Sequence, residues 1–158
     1  MSAIRIPRHA ALAVALPALL LAVSAPGHPA TAEPAPSRGG SPASAVDRVA
    51  DFFGAYSDVL HDQGRGRLSD SLREHYLTAD LRTRLELWEK EHGGDGVLRT
   101  EGTPSSWTVT YGDSGMGHTW THVVLTCDAH GHSTRTRLEV QSDLATLRIS
   151  DIHEATSR

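Results

Sequence analysis

Residues 107–127, with the sequence WTVTYGDSGMGHTWTHVVLTC, decide the fold class of this 158-residue chain. In the first part, the apolar residues Trp107, Val109 and Tyr111 alternate with threonines, which is the period of a strand that is buried on one face. A glycine-rich turn at residues 112–117 separates this part from a second long run of Thr and Val. The pattern therefore predicts a β-hairpin.

Two further segments after the hairpin have the composition of strands. Residues 133–141 follow a predicted turn at residues 128–131, and residues 144–152 follow a predicted turn at residues 142–143. Short connections favour antiparallel pairing of strands that are neighbours in sequence. We therefore expect the second half of the chain to form an antiparallel meander of three or four strands.

Three segments before the hairpin have apolar residues at helical spacing. The first helix is predicted over residues 45–63 with Ser44 as its N-cap, and a second, short helix over residues 69–76. A third helix is predicted to follow a cap at Thr78 and to end near His92. Helices followed by an antiparallel meander predict an α+β domain, in which the N-terminal helices pack on a curved antiparallel sheet.

The first 32 residues are predicted to be a secretory signal peptide. Arg5 and Arg8 precede an apolar run at residues 10–23. This run is shorter than the roughly 20 residues that a membrane-spanning helix needs. Small residues precede Ala32, so cleavage is predicted near that residue. The mature protein is therefore expected to be secreted into the extracellular space, with no attachment to the membrane after cleavage.

The rest of the chain is predicted to hold one domain. Residues 33–44 are a flexible leader rich in Pro, Gly and Ser, residues 45–154 form the α+β domain, and residues 155–158 are a tail. The signal peptide contains two of the 15 basic residues and none of the 19 acidic ones, which leaves a mature net charge of −6. This charge disfavours nucleic-acid binding, because phosphate backbones are themselves negative.

Cys127 is the only cysteine of the chain, so no intramolecular disulfide can form. A single cysteine within an apolar strand is typically a small buried residue, and this is what we expect of Cys127. A reactive or dimer-forming thiol is the alternative.

Three stretches of the sequence resemble a known superfamily. They are YLTADLRTRL at residues 76–85, VLRTEGTPSSWTVTY at residues 97–111 and LATLRISDIHE at residues 144–154. Together they resemble the secreted bacterial branch of the nuclear transport factor two-like (cystatin-like) superfamily, over residues 45–154. The resemblance implies an α+β cone, in which one long and two shorter helices close over a strongly curved sheet. It implies no activity, because the secreted members are largely of unassigned function.

A pocket inside such a cone would be lined by aromatic residues and one histidine. The pocket candidates are Tyr56, Trp88, Trp107, Trp120 and His122. For the aromatic residues, an ordinary apolar core is the alternative. His122 shares one face of its predicted strand with Trp120 and Val124. If this face is concave, His122 lies in an apolar pocket and is the candidate acid–base residue. The alternatives are a structural histidine and a histidine on the outer, solvated face.

His130 and His132 lie at the tip of the second predicted hairpin and are the candidate metal ligands. A pair of exposed polar residues is the alternative, because loop tips are usually solvated. The chain has none of the nucleophile, zinc, phosphate-binding or C-x-x-C redox motifs. The sequence therefore predicts no cofactor and no metal.

These observations favour a secreted, non-enzymatic binding domain whose partner is a small apolar ligand or an extracellular protein. A homodimer remains compatible with the sequence. The first alternative is a small cyclase, dehydratase or isomerase with an acid–base residue in the cone pocket. The second is an extracellular protease inhibitor that presents the turn at residues 112–117.

Overall fold

The computed structural model describes residues 38–156 except residues 101 and 130. Three helices precede four strands: α1 (Ala45–Gln63), α2 (Arg67–Tyr76), α3 (Ala79–His92), β1 (Ser106–Gly115), β2 (His118–Ala129), β3 (His132–Asp143) and β4 (Ile149–Glu154). The predicted signal peptide, its cleavage site, the start of the leader and the last two residues of the tail lie outside the described residues. The described part contains no helix that is both long and apolar enough to cross a membrane.

Local caps set the ends of α1 and α3. The side chains of Ser44 and Thr78 each accept a hydrogen bond from a first-turn backbone N–H, which satisfies one of the free donors at a helix start. The C-caps Gly64 and Gly93 have φ values of 71° and 70°, which glycine adopts at little cost. Both helices have the bounds that the sequence predicted. α2 begins two residues earlier than predicted.

The four strands form one antiparallel sheet in the order β1-β2-β3-β4, and this sheet is not closed. The meander is thus confirmed. The extents of the first two predicted turns are wrong, because β1 continues to Gly115 and β2 continues to Ala129. The first turn consists of Met116 and Gly117, with φ values of 51° and 84°. Positive φ at both central residues matches the twist of paired strands, so the strands reach the turn without a loop.

The turn between the third and fourth strands is longer than predicted. One carboxylate oxygen of Asp143 accepts hydrogen bonds from the backbone N–H groups of Ala145 and Thr146 at 2.9 and 2.8 Å. These bonds hold residues 144–148 as a loop, because an aspartate that caps its own turn competes with strand pairing. The fourth strand therefore begins at Ile149 rather than at Leu144.

The helices pack on one face of the sheet. Alternate residues of the two central strands are buried there, including Val123 and Leu125 of β2 and Leu138 and Val140 of β3. The helical side and the loop after α3 contribute Val49, Phe52, Phe53, Tyr56, Leu77, Leu81, Leu85, Val97 and Leu98. Three helices on an antiparallel sheet confirm the predicted α+β class. Cys127 continues the inward face of β2 but is only half-buried, with its sulfur 3.9 Å from the carbonyl oxygen of Gly102.

Candidate functional site

The structure does not bring the five predicted pocket residues together. Tyr56 is fully buried in the core, and Trp107 packs against α1 at Gly54. Trp88 lies in a cleft beside the C-terminal ends of α1 and α3, whereas Trp120 and His122 line a groove on the outer face of the sheet. Side chains of the core fill the space between the helices and the sheet, so the expected common pocket is not formed.

His122 lies on the outer face of the sheet and is exposed. Its neighbour Val123 is fully buried, and successive residues of a strand point to opposite faces. The face shared by Trp120, His122 and Val124 is therefore not the concave, helix-covered one on which the acid–base hypothesis depended. The second of the alternatives stated for His122, an outer-face histidine, describes its position.

The two candidate metal ligands differ in what the structure describes. His132 begins β3 and is exposed, whereas His130 lies outside the described residues. Within the described ranges, no group of three or more His, Cys, Asp or Glu residues is arranged to hold a metal ion.

A cleft of about 620 Å³ lies where α1 and α3 end and the following loop begins. We call it the Trp88 cleft. Its apolar and charged lining consists of Leu60, Arg65, Trp88, His92, Asp95, Leu98 and Arg99. Glycines 64, 93, 94 and 102 form part of the same wall. Because these four residues have no side chains, the backbone at the helix ends leaves the cleft open.

The ring of Trp88 is held in place by two neighbours. His92 is one helical turn further along α3, where side chains face each other, and its ring stacks on the indole at a centroid distance of 4.3 Å. The guanidinium of Arg99 lies 4.7 Å from the centroid of the indole ring, within the range of a cation–π interaction. The cleft wall therefore contains a half-buried aromatic ring with a positive charge over it.

The backbone and side chain of Arg99 are both fixed. Its φ is 51°, in the left-handed region that a residue with a Cβ seldom adopts. The backbone N–H donates to the carbonyl oxygen of Asp95 at 2.8 Å. The guanidinium donates to the carbonyl oxygens of Gly96 and Ile152 at 3.3 and 3.2 Å. All acceptors of its side chain are neutral, so its charge is not neutralised by a carboxylate among the described residues.

A polar cluster that is buried except at Arg65 adjoins the cleft, and we call it the buried polar cluster; it consists of Tyr56, Arg65, Arg73, Glu89 and Asp95. The hydroxyl of Tyr56 donates to Asp95 at 2.8 Å and accepts from Nε of Arg73 at 2.8 Å. Arg73 and Arg65 both pair with Glu89 and with Asp95. The cluster therefore joins residues of all three helices to the loop that forms the cleft wall.

The loop is also tied to the cluster through its backbone. The second carboxylate oxygen of Asp95 accepts from the N–H groups of Val97 and Leu98, both at 2.9 Å. Glu89 accepts from the N–H of Gly96 at 2.8 Å. These bonds satisfy the backbone where the chain leaves α3, and they fix the position from which Arg99 reaches Trp88.

The cluster has the electrostatics of a structural network. Burial works to raise the pKa of Glu89, but hydrogen bonds from Arg73, Arg65 and Gly96 outweigh it and hold this pKa below its ordinary value. Burial and the nearby charge of Asp95 raise the pKa of Tyr56 well above its usual range. Glu89 therefore stays ionised and Tyr56 stays protonated at neutral pH. Neither group is suited to exchange a proton with a substrate there.

Most residues that build this site were not among the sequence-predicted candidates. The stretch Gly93–Gly94–Asp95–Gly96 follows the predicted end of the third helix near His92, and an aspartate just beyond a helix can bind free backbone N–H groups. The sequence does not indicate that Arg73 and Glu89 are buried, because arginine and glutamate on short helices are usually solvated. Of the predicted pocket residues, the cleft contains only Trp88.

Comparison with known proteins gives a fold and no function. No protein-family model matches the chain, and no curated protein matches it. One solved structure is similar, the crystal structure of a protein of unknown function from Bacteroides thetaiotaomicron. The TM-score is 0.52 with 20% sequence identity, over 69% of this chain and 88% of the other. At this identity the likeness supports the α+β fold alone.

Proposed function

We propose that this protein is a secreted, non-enzymatic binding domain, and that its ligand is a small molecule with a planar apolar body and an acidic group. The ligand occupies the Trp88 cleft. The observation that carries the proposal is the half-buried indole of Trp88 in the cleft wall, with the guanidinium of Arg99 fixed 4.7 Å from its ring centroid. An apolar surface beside one oriented charge is typical of small-molecule sites.

The charge of the lining supports an acidic ligand. Among the residues that the structure describes, two arginines, Arg65 and Arg99, line the cleft with one carboxylate, Asp95. Arg65 and Asp95 already pair with each other within the buried polar cluster. Arg99 therefore supplies the excess positive charge. Leu60, which is half-buried, supplies apolar surface on which a planar body can pack beside Trp88.

The charged groups of the buried polar cluster are used to hold the structure, which supports binding rather than catalysis. Glu89 and Asp95 each accept several hydrogen bonds, and Arg73 is used by Tyr56, Glu89 and Asp95. A general acid or base needs a group that can change its proton at the operating pH. The pKa of Glu89 is held low, so this residue does not provide one.

Two other hypotheses have different support. A protease inhibitor would need an extended reactive loop, but residues 112–115 belong to β1 and the turn has two residues. Membership of the nuclear transport factor two-like superfamily is supported by the order of three helices before an antiparallel meander. Membership would relate the fold of this protein to that of other proteins but would not identify a ligand.

Fluorescence titration with 8-anilinonaphthalene-1-sulfonate tests the proposal, because this probe combines a planar aromatic body with a sulfonate. We expect saturable binding. Trp88→Ala should weaken it by about tenfold or more, as the loss of a central aromatic anchor does. Arg99→Gln should weaken it by about three- to tenfold by removing the fixed charge.

Matched controls use residues outside the cleft. Tyr111→Ala removes an aromatic side chain that is 56% exposed on β1, and Arg67→Gln removes an exposed arginine of α2. Neither should change the affinity of the probe. Unfolding midpoints of all variants separate loss of the site from loss of the fold. Equal affinity of the Trp88→Ala variant and the parent protein would refute the proposal.

A further inference from the structure

The face of the sheet opposite the helices contains a second concave site. A groove of about 330 Å³, which we call the Trp120 groove, is lined by Gly112 and Asp113 of β1, Trp120 and His122 of β2, and Glu139 of β3. Trp120 is half-buried and His122 is exposed. An aromatic wall therefore lies between side chains from three neighbouring strands.

Gly112 keeps this groove open. The register of β1 against β2 shifts between Tyr111 and Asp113, so Gly112 is the extra residue of a β-bulge. A Cβ atom at this position would lie 2.8 Å from Nε2 of His122 and 3.1 Å from the carbonyl oxygen of Trp120. Glycine alone lets the ring of His122 lie this close to the backbone of β1. Any side chain here would displace part of the groove lining.

Carboxylates flank the aromatic wall on both sides. Asp113 is the register partner of Trp120 on β1, and Glu139 is the register partner of His122 on β3. Directly opposed side chains of an antiparallel pair lie about 4.5–5.5 Å apart at Cβ. Both acids are thus within reach of a ligand that lies on the indole.

No lysine or arginine belongs to the described lining of this groove. Within the part of the chain that the structure describes, Glu139 has one ionic neighbour, His153, at 3.4 Å. Arg137 lies two residues along the same face of β3 but lines a different cavity, together with Arg99 and Arg135. The Trp120 groove is therefore negative, opposite in sign to the Trp88 cleft.

We propose that the Trp120 groove binds a small organic ammonium cation. The face of an indole ring attracts a cation positioned over it. The two carboxylates, one from each neighbouring strand, supply charge of the complementary sign. The groove is on the opposite face of the sheet from the core, so this site does not depend on the function proposed for the Trp88 cleft.

Titration of the ¹⁵N-labelled full chain with choline tests the inference by NMR. Its neutral carbon analogue, 3,3-dimethylbutan-1-ol, has the same shape without the charge and serves as the ligand control. The indole N–H signals are assigned with single Trp→Phe variants. Choline should shift the Trp120 signal in a saturable way and leave those of Trp88 and Trp107 in place. The neutral analogue should shift it far less.

Variants separate the contributions of ring and charge. Trp120→Ala should abolish the response, as read from the backbone signal of Glu139. Asp113→Asn and Glu139→Gln should each weaken binding by about two- to fivefold, as expected for an exposed charge pair. Glu154→Gln makes the same change of net charge at an exposed residue outside the groove and should have no effect. Gly112→Ala should also weaken binding, and its unfolding midpoint shows whether the sheet is intact.

Three results would overturn the inference. The first is an equal response to choline and to its neutral analogue. The second is a response at Trp88 instead of Trp120. The third is a response of Trp120 to methyl α-glucoside without one to choline, which would assign the groove to neutral polyols. The first and third results leave the test of the Trp88 cleft unaffected, because that test uses an anionic probe and other variants.

Discussion

Replacing Arg73 with methionine should lower the free energy of unfolding by about 3 kcal/mol. The side chain of Arg73 is 8% exposed and is the central cation of the buried polar cluster. Its guanidinium donates to the hydroxyl of Tyr56, to Glu89 and to Asp95. Methionine keeps much of the volume and the helix propensity of arginine, so the change removes mainly the charge and its hydrogen bonds.

The magnitude follows from what the substitution leaves behind. Removing one partner of a buried ion pair costs about 3–5 kcal/mol, because the other charge stays buried without compensation. Here both acids retain Arg65, whose side chain is 46% exposed. Glu89 also retains the N–H of Gly96, and Asp95 retains the hydroxyl of Tyr56. The cost should therefore fall at the lower end of that range.

Urea unfolding followed by far-ultraviolet circular dichroism measures this loss. Arg67→Met, at an exposed position of the same helix, is the control and should change stability by less than about 0.5 kcal/mol. The double variant Arg73→Met/Glu89→Gln should lose less than the two single losses added together, since it removes a charge along with its partner. A loss below about 1 kcal/mol for Arg73→Met would show that the cluster is solvated, and would refute the reasoning.

Three further predictions concern acid stability, the core and export. The pKa of Glu89 is lowered in the folded protein from its ordinary 4.5. The contribution of Glu89 to stability is therefore present above that pH and is lost as the pH falls through the folded pKa. In acid titrations of the unfolding free energy, Glu89→Gln should show a shallower decline below about pH 4.5 than the parent protein, and an identical decline would contradict the lowered pKa. Leu85→Ala should lower the free energy of unfolding in urea by about 2–5 kcal/mol, because Leu85 is 1% exposed. Leu87→Ala, at 55% exposure on the same helix, should lower it by less than about 0.5 kcal/mol. Equal losses would mean that α3 packs on the sheet through a different face. Replacing Ala30 and Ala32 with bulky residues should leave a longer precursor in the cell fraction on immunoblots, and normal export with unchanged size would mean that cleavage does not occur after Ala32.

Elements that depend on local contacts could be predicted from the sequence. α1 and α3 have the predicted bounds because their caps, Ser44, Thr78 and the glycines that follow them, act within one turn of the helix. The start of α2 differs from the predicted one. The sequence predicts that α2 begins at Ser69, but the hydroxyl of Ser69 accepts a hydrogen bond from the N–H of Gly66, so the helix begins two residues earlier.

The strand ends were harder to predict because glycine has two roles in sheets. The sequence predicts a turn that includes Gly112 and Gly115, yet Gly112 is a bulge and Gly115 pairs with His118. Composition alone does not separate a turn from a bulge, since both use residues that tolerate unusual backbone angles. Pairing with β2 decides which glycines form the bulge and which form the turn, and a local sequence pattern does not contain these pairing partners.

The buried face of β2 could not be assigned from its own sequence either. Both faces carry apolar side chains, with Trp120 and Val124 on one and Val123 and Leu125 on the other. A period of two predicts that the faces differ but not which one meets the helices. The outer position of His122 follows from the packing of the whole sheet, and this packing excludes it from the core.

The residues that end α1 and α3 and hold the following loop explain why the Trp88 cleft is both open and positive. At the ends of α1 and α3, the C-caps Gly64 and Gly93 leave backbone without side chains. The loop that follows would be free to collapse into that space, but Asp95 and Glu89 bind its N–H groups. Because the carboxylates of Asp95 and Glu89 bind the loop N–H groups and the arginines of the buried polar cluster, they do not neutralise Arg99. The network that stabilises the fold therefore also leaves the fixed charge of Arg99 beside Trp88. For this reason, Arg73→Met should weaken the binding of the anionic probe even though Arg73 does not line the cleft.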